Sequence, residues 1–268
     1  MTKNNLVDMK YFISTKFNLW GDIMINEVSI IIVGFIIILL SGLIQGITSF
    51  GFSLVAVPLL AIIMPLKIVV PMLVIFSLIM NSIILYNIRD YINLKKITLL
   101  VISAIIATPI GANILLNVDE KILQLIVGII VTISAISFHF GYKIKVRNEK
   151  IAYIPVGIMS GILNGSVSLS GPPIILFLTN QRVEKQNFRA TLTAYFWILN
   201  IVTIITYIIK KMISTEVLIF TGYLLPALLI GVVIGIRFGN KIKEDNFEKI
   251  TILLIIAMGI LSIVSGLS

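Results

Sequence analysis

Long unbroken apolar runs, separated by short polar connections, dominate the chain from residue 28 onward. The runs are continuous rather than alternating. That argues for helices and against strands, whose open sheet edges would find no partner in lipid. Helical segments are expected at about 28–45, 52–64, 70–88, 97–116, 121–140, 152–167, 171–180, 190–209, 216–236 and 247–266. Eight of them reach, or nearly reach, the roughly 20 residues a bilayer crossing needs. Those at 52–64 and 171–180 are short, and each follows a longer run across a glycine-rich break. Residues 1–27 form a separate tail. In it Leu6, Met9, Phe12, Ile13, Phe17 and Trp20 recur at helical spacing, with Lys3, Lys10 and Lys16 between them. An interfacial amphipathic helix fits this pattern; an unordered tail is the alternative. The apolar core and small-residue cleavage site of a signal peptide are missing, and Met24 offers a second in-frame start.

Slid against itself by 119 residues, the chain repeats. Ser41-Gly42-Leu43-Ile44-Gln45-Gly46 falls on Ser160-Gly161-Ile162-Leu163-Asn164-Gly165. In the same register Ser49 falls on Ser168 and Asn81 on Asn200. Ile110-Gly111 resembles Ile234-Gly235 at a slightly longer offset. The chain therefore reads as two structural repeats, 28–140 and 152–268, joined by a basic connection at 141–151. Repeats of this kind are frequent in transporters.

Composition supports the membrane reading. Of 268 residues, 58% are hydrophobic and 12% charged, about half the charge of a soluble domain. Mean hydropathy is +1.10. A soluble enzyme, a secreted module and a disordered segment are excluded. The net charge of +9 sits in the connections, where topology and contact with anionic lipid explain it better than nucleic acid. If each short segment folds back on its predecessor as a helix–break–helix hairpin, the connections 88–96, 141–151, 181–189 and 237–249 share one face. That face then holds 14 Lys and Arg against 7 on the other. If each hairpin is instead one broken crossing, the split is 12 against 9. The positive-inside rule favours the hairpins. The fold class is thus an all-α polytopic membrane protein of two inverted repeats, multi-pass in the cytoplasmic membrane, with both ends outside. The chain has no cysteine and one histidine, His139. Disulfides, thiolate sites and multi-histidine metal centres are excluded, and no cofactor or metal is expected.

The two breaks carry the candidate chemistry. The first holds Gly42, Gln45, Gly46, Thr48, Ser49 and Gly51, with Ser53 and Pro58 following. The second holds Gly161, Asn164, Gly165, Ser166, Ser168, Ser170 and Gly171, then Pro172 and Pro173. Glycine lets the backbone leave helical angles, and proline suits the first turn of a new helix. Unwound backbone inside a membrane needs protein partners or a wet cavity. Helix N-termini meeting there would offer N–H groups and about half a unit of positive charge. Ser, Thr, Asn and Gln would add neutral donors. The arrangement suits a small oxyanion held without a cationic side chain.

Asn81 and Asn200, inside apolar helices, either line the same cavity or make an interhelical hydrogen bond. The competing reading of the glycines is close helix packing in a channel-like or scaffold protein. The interiors of these segments contain no Asp, Glu, Lys or Arg, which argues against a carboxylate-based proton pump. Arg189, just ahead of the helix bearing Asn200, is the candidate for guiding an anion into a cytoplasmic vestibule. No Walker-type loop is present. An intramembrane serine hydrolase using Ser166 or Ser168 with His139 is a third reading, and nothing in the spacing brings His139 to either serine. The expected partners are a small anionic substrate and lipid, with a homo-oligomer compatible.

At these residues the sequence resembles the TauE/SafE family of sulfite-exporter-type permeases. The resemblance rests on Gly42, Gly46, Gly51 and Pro58 in the first half. In the second it rests on Gly161, Gly165, Gly171-Pro172, then Arg189-Ala190-Thr191-Leu192, Asn200, Pro226, Gly231 and Gly235. It covers about residues 28–267. Thr48-Ser49-Phe50 stands where the family often has more glycine. The resemblance implies a secondary transporter for small sulfur-containing anions such as sulfite, a sulfonate or thiosulfate, working by alternating access at the repeat interface.

Overall fold

The computed structural model describes residues 28–91, 97–139, 149–179 and 185–241. Among these residues every regular element is a helix. Helix α1 is Val28–Thr48. It is followed by α2 (Phe52–Leu60), α3 (Leu66–Ile88), α4 (Thr98–Asn117) and α5 (Glu120–His139). Then come α6 (Glu149–Val167), α7 (Gly171–Thr179), α8 (Lys185–Ile209) and α9 (Thr215–Lys241). Five of the described helices are long and apolar enough to cross a bilayer: α1, α3, α4, α8 and α9. The apolar part of α6, Ala152–Val167, is shorter. The expected helices at 1–27 and 247–266 lie outside the described residues, as do most of the basic connections.

Hydrocarbon has no hydrogen bonds to give, so the apolar runs satisfy their backbone internally as helices. Their outer faces stay apolar, as a lipid-facing surface must. Ile32, Ile36 and Leu40 form an exposed ridge on α1, and Ile102, Ile106 and Ile110 form one on α4. The inner faces meet through glycine. A Cβ added at Gly161 would lie 2.2 Å from Ala104 O on α4, and one at Gly111 of α4 would lie 2.2 Å from Ile162 O on α6. The same contact recurs between α1 and α9. A Cβ at Gly235 would lie 2.3 Å from Leu43 O, and one at Gly46 would lie 2.6 Å from Val232 O. These helix pairs approach so closely that only hydrogen fits between the backbones, the membrane use of small residues.

The two short helices match closely. Helices α2 and α7 are each nine residues long and begin 119 residues apart, as α1 and α6 end 119 residues apart. Gly51, with φ 96°, precedes α2. Ser49 and Ser168 hold left-handed angles, φ 66° and 59°, at equivalent positions. Each ends its helix with the same bond, Ser49 N to Gln45 O (2.7 Å) and Ser168 N to Asn164 O (3.1 Å). Left-handed backbone is rare for a residue with a Cβ and worst for a β-branched one. Ser168→Val is accordingly expected to unfold at a lower temperature than Ser168→Gly, read as thermal unfolding in detergent.

Candidate functional site

The breaks bring polar groups of both halves around one cavity. Its lining comes equally from the two: Gln45, Gly51, Phe52, Ser53, Leu54, Ser77 and Asn81 from the first, and Asn164, Ser168, Leu169, Ser170, Gly171, Phe196 and Asn200 from the second. Gln45 and Asn164, Gly51 and Ser170, Phe52 and Gly171, Ser77 and Phe196, and Asn81 and Asn200 each stand 119 residues apart. The cavity volume is about 30 Å³, about twice what a water needs. No lining residue is charged.

Hydrogen bonds fix which way the amides point. The Gln45 carboxamide meets two backbone groups that each allow one polarity. Its Oε1 accepts from Phe52 N (3.0 Å), and its Nε2 donates to Ser49 O (3.1 Å). Nε2 also donates to Asn81 Oδ1 at 3.2 Å. Asn81 therefore accepts through oxygen, which leaves its NH2 group as a donor on the cavity wall. In the second half the Thr203 hydroxyl gives its proton to Leu199 O (2.8 Å), so its oxygen accepts from Asn164 Nδ2 (2.8 Å). Asn164 Nδ2 donates also to Asn200 Oδ1 at 3.2 Å, and Asn200 in turn keeps its NH2 for the cavity. The two bonds span the same 36 positions of sequence. Two neutral amide donors thus face one space from opposite halves, each oriented from behind.

Further contacts tie the halves together across the site. Ser53 Oγ and Ser168 Oγ lie 3.1 Å apart. Arg189 is fully buried; its Nε donates to Ser49 Oγ and its Nη2 to Gly46 O, both at 3.0 Å. Tyr207 Oη donates to Gly165 O at 2.8 Å. Each donor to Gly46 and Gly165 therefore comes from α8. Tyr207→Phe strands the buried Gly165 carbonyl and is expected to lower stability by about 1–3 kcal/mol, seen as a lower unfolding temperature.

Against this geometry, a model of the sulfite exporter TauE/SafE family matches residues 34–262. The chain belongs to the TauE/SafE family. It is an integral membrane protein of a family of membrane transporters for sulfite-type anions. Neither a curated protein nor a solved structure matches it significantly.

In this TauE/SafE chain the structure sorts the residues singled out in the sequence. Gln45, Gly51, Asn81, Asn164, Ser168, Ser170, Gly171 and Asn200 border the cavity. Gly42, Gly46, Gly161 and Gly165 sit at helix crossings instead. Thr48 Oγ1 and Ser166 Oγ bond carbonyls of their own helices, Ile44 O (2.9 Å) and Ile162 O (2.8 Å). Ser49 faces Arg189. Pro172 and Pro173 have no N–H, so of the first three residues of α7 only Gly171 can donate one, whereas the equivalent Ser53 and Leu54 of α2 keep theirs.

Arg189 corrects two expectations. Helix α8 starts at Lys185, five residues before the apolar run, and so carries a cation within a spanning segment. Nor does Arg189 line a surface vestibule: its charge is held by the carbonyl and hydroxyl of the first break, which offset the loss of water. The apolar wall of Phe52, Leu54, Leu169 and Phe196 gave no sequence signal, because apolar residues are everywhere in this chain.

Proposed function

We propose that this protein is a secondary transporter of the cytoplasmic membrane that moves a small sulfur oxyanion, such as sulfite, thiosulfate or a small sulfonate. The observation that carries the reading is the pair of oriented amides. With their oxygens engaged by Gln45 and Asn164, Asn81 and Asn200 have N–H donors to offer a cavity with no carboxylate on its wall, and an oxyanion is the ligand such donors suit. Ser53 and Ser168 add hydroxyls, and the α2 N-terminus adds backbone donors. A carboxylate has two oxygens in one plane, whereas a sulfur oxyanion spreads three or more over a pyramid or tetrahedron and can meet donors converging from two halves.

The matched breaks, the matched amide bonds and the reciprocal pairing of α1 with α9 and α6 with α4 support two inverted repeats, 28–140 and 152–268. Rocking one repeat against the other would open the cavity to each side in turn. Outward movement of the anion is favoured by an inside-negative potential, by about 2.3 kcal/mol per charge per 100 mV. The test is thermal unfolding of purified protein against sulfite, thiosulfate, sulfate, taurine, sulfoacetate and small carboxylates. At least one sulfur oxyanion is expected to raise the unfolding temperature more than the carboxylates do; no shift with any sulfur compound would end the assignment.

A further inference from the structure

We infer that Arg189 is a resident cation standing where a cation-coupled carrier would bind its ion, so that the anion crosses without a co-transported cation. The inference rests on the transporter reading above. The last carbonyls of a helix lack intrahelical partners and carry partial negative charge. Within membranes, such ends and the unwound backbone beside them are where coupling cations bind. In this protein that place, at the end of α1, is filled from α8. The guanidinium lays Nη2 on Gly46 O and Nε on Ser49 Oγ, both at 3.0 Å, and the residue is fully buried.

Among the described residues the charge is placed at one break only. The equivalent carbonyl of the second break, Gly165 O, takes a neutral phenol from Tyr207, and the position 119 residues before Arg189 is Val70. The cation is also connected to the binding cavity. Ser49, held by Arg189, accepts from Gln45 Nε2 through its carbonyl; Gln45 in turn fixes Asn81, which lines the cavity. Arg189 is therefore a positioning residue one relay behind the wall, and it supplies a positive charge to the anion from a fixed place. Among the described residues no group of three or more His, Cys, Asp or Glu stands ready to hold a cation. The charge moved per cycle is then that of the anion alone.

Two measurements on full-length protein in proteoliposomes test this. First, sulfite flux by the wild type is expected to stay within twofold when Na+ is replaced by N-methyl-D-glucamine and the pH gradient is collapsed. A flux that falls at least fivefold in either condition would overturn the inference. Second, Arg189→Gln is expected to lose at least tenfold in flux and to unfold at a lower temperature. Millimolar guanidinium ion should restore part of both, while an equal concentration of neutral urea should not. Rescue by urea, or flux equal to wild type, would contradict it. If Arg189→Gln does not fold, the cation replacement on wild type decides together with Arg189→Lys, which keeps the charge and is expected to fold and to retain cation-independent sulfite flux; a flux in Arg189→Lys that requires Na+ would overturn the inference. If no sulfur anion binds the wild type at all, the transport reading fails. The guanidinium-specific rise in unfolding temperature of Arg189→Gln would still report the cation site.

Discussion

Asn200→Asp is expected to abolish anion binding while leaving the protein folded. The substitution is nearly isosteric, and its oxygen can still accept from Asn164 Nδ2, as Asn200 Oδ1 does at 3.2 Å. What changes is the group facing the cavity. An NH2 donor becomes a carboxylate oxygen, so an attractive contact becomes a repulsive one with any bound anion. A hydrogen bond to a charged group contributes about 1.5–3 kcal/mol, so Asn200→Ala alone should weaken binding by roughly 10- to 100-fold. Asn200→Asp should exceed that, because charge repulsion in a poorly hydrated cavity is added to the lost bond. Asn81→Asp should behave in the same way, since Asn81 is oriented by Gln45 as Asn200 is by Asn164. Titration calorimetry with the best stabilising sulfur anion reads both. Unchanged affinity in either variant would remove the amide pair from the site.

Gly161→Ala is expected to have the largest effect on folding. The new Cβ would meet Ala104 O at 2.2 Å and Ala104 Cα at 2.9 Å. Both are backbone atoms of α4, so no side chain can swing away. The helices must separate, and every contact along the α4–α6 seam weakens, including that of Gly111 with Ile162 O. Overpacking costs about 1–3 kcal/mol and sometimes more, here at the upper end because the obstacle is backbone. For a chain of this size that is a fall of roughly 5–12 °C in unfolding temperature. Gly128 offers the control, since a Cβ there meets nothing within 4 Å, and Gly128→Ala should leave the unfolding temperature within about 1 °C or raise it slightly. Equal unfolding temperatures for the two variants would refute the packing assigned to Gly161.

The gap-free register linking Gln45 to Asn164 and Asn81 to Asn200 located both breaks from sequence, because unwinding a membrane helix needs residue types an apolar run otherwise avoids. The same logic could not separate two uses of glycine. Gly46 packs against α9 and Gly51 borders the cavity, and only the fold tells them apart. Arg189 is hidden from a sequence reading for a different reason. Hydropathy marks where apolar residues begin, whereas α8 begins in a polar stretch at Lys185. A buried cation with carbonyl and hydroxyl partners has the same one-letter signature as a surface one. The orientation of the amides was also invisible, since it depends on Phe52 N and Thr203 Oγ1 arriving from elsewhere in the fold.

The most direct test of the central claim is sulfite flux through purified protein in proteoliposomes at a clamped membrane potential. Wild-type protein should carry sulfite well above the rate of protein-free vesicles, faster when the potential favours anion movement, with Asn81→Asp and Asn200→Asp at the protein-free rate. Wild-type flux no faster than empty vesicles, or flux in both Asp variants equal to wild type, would contradict a sulfur-anion site between the two breaks.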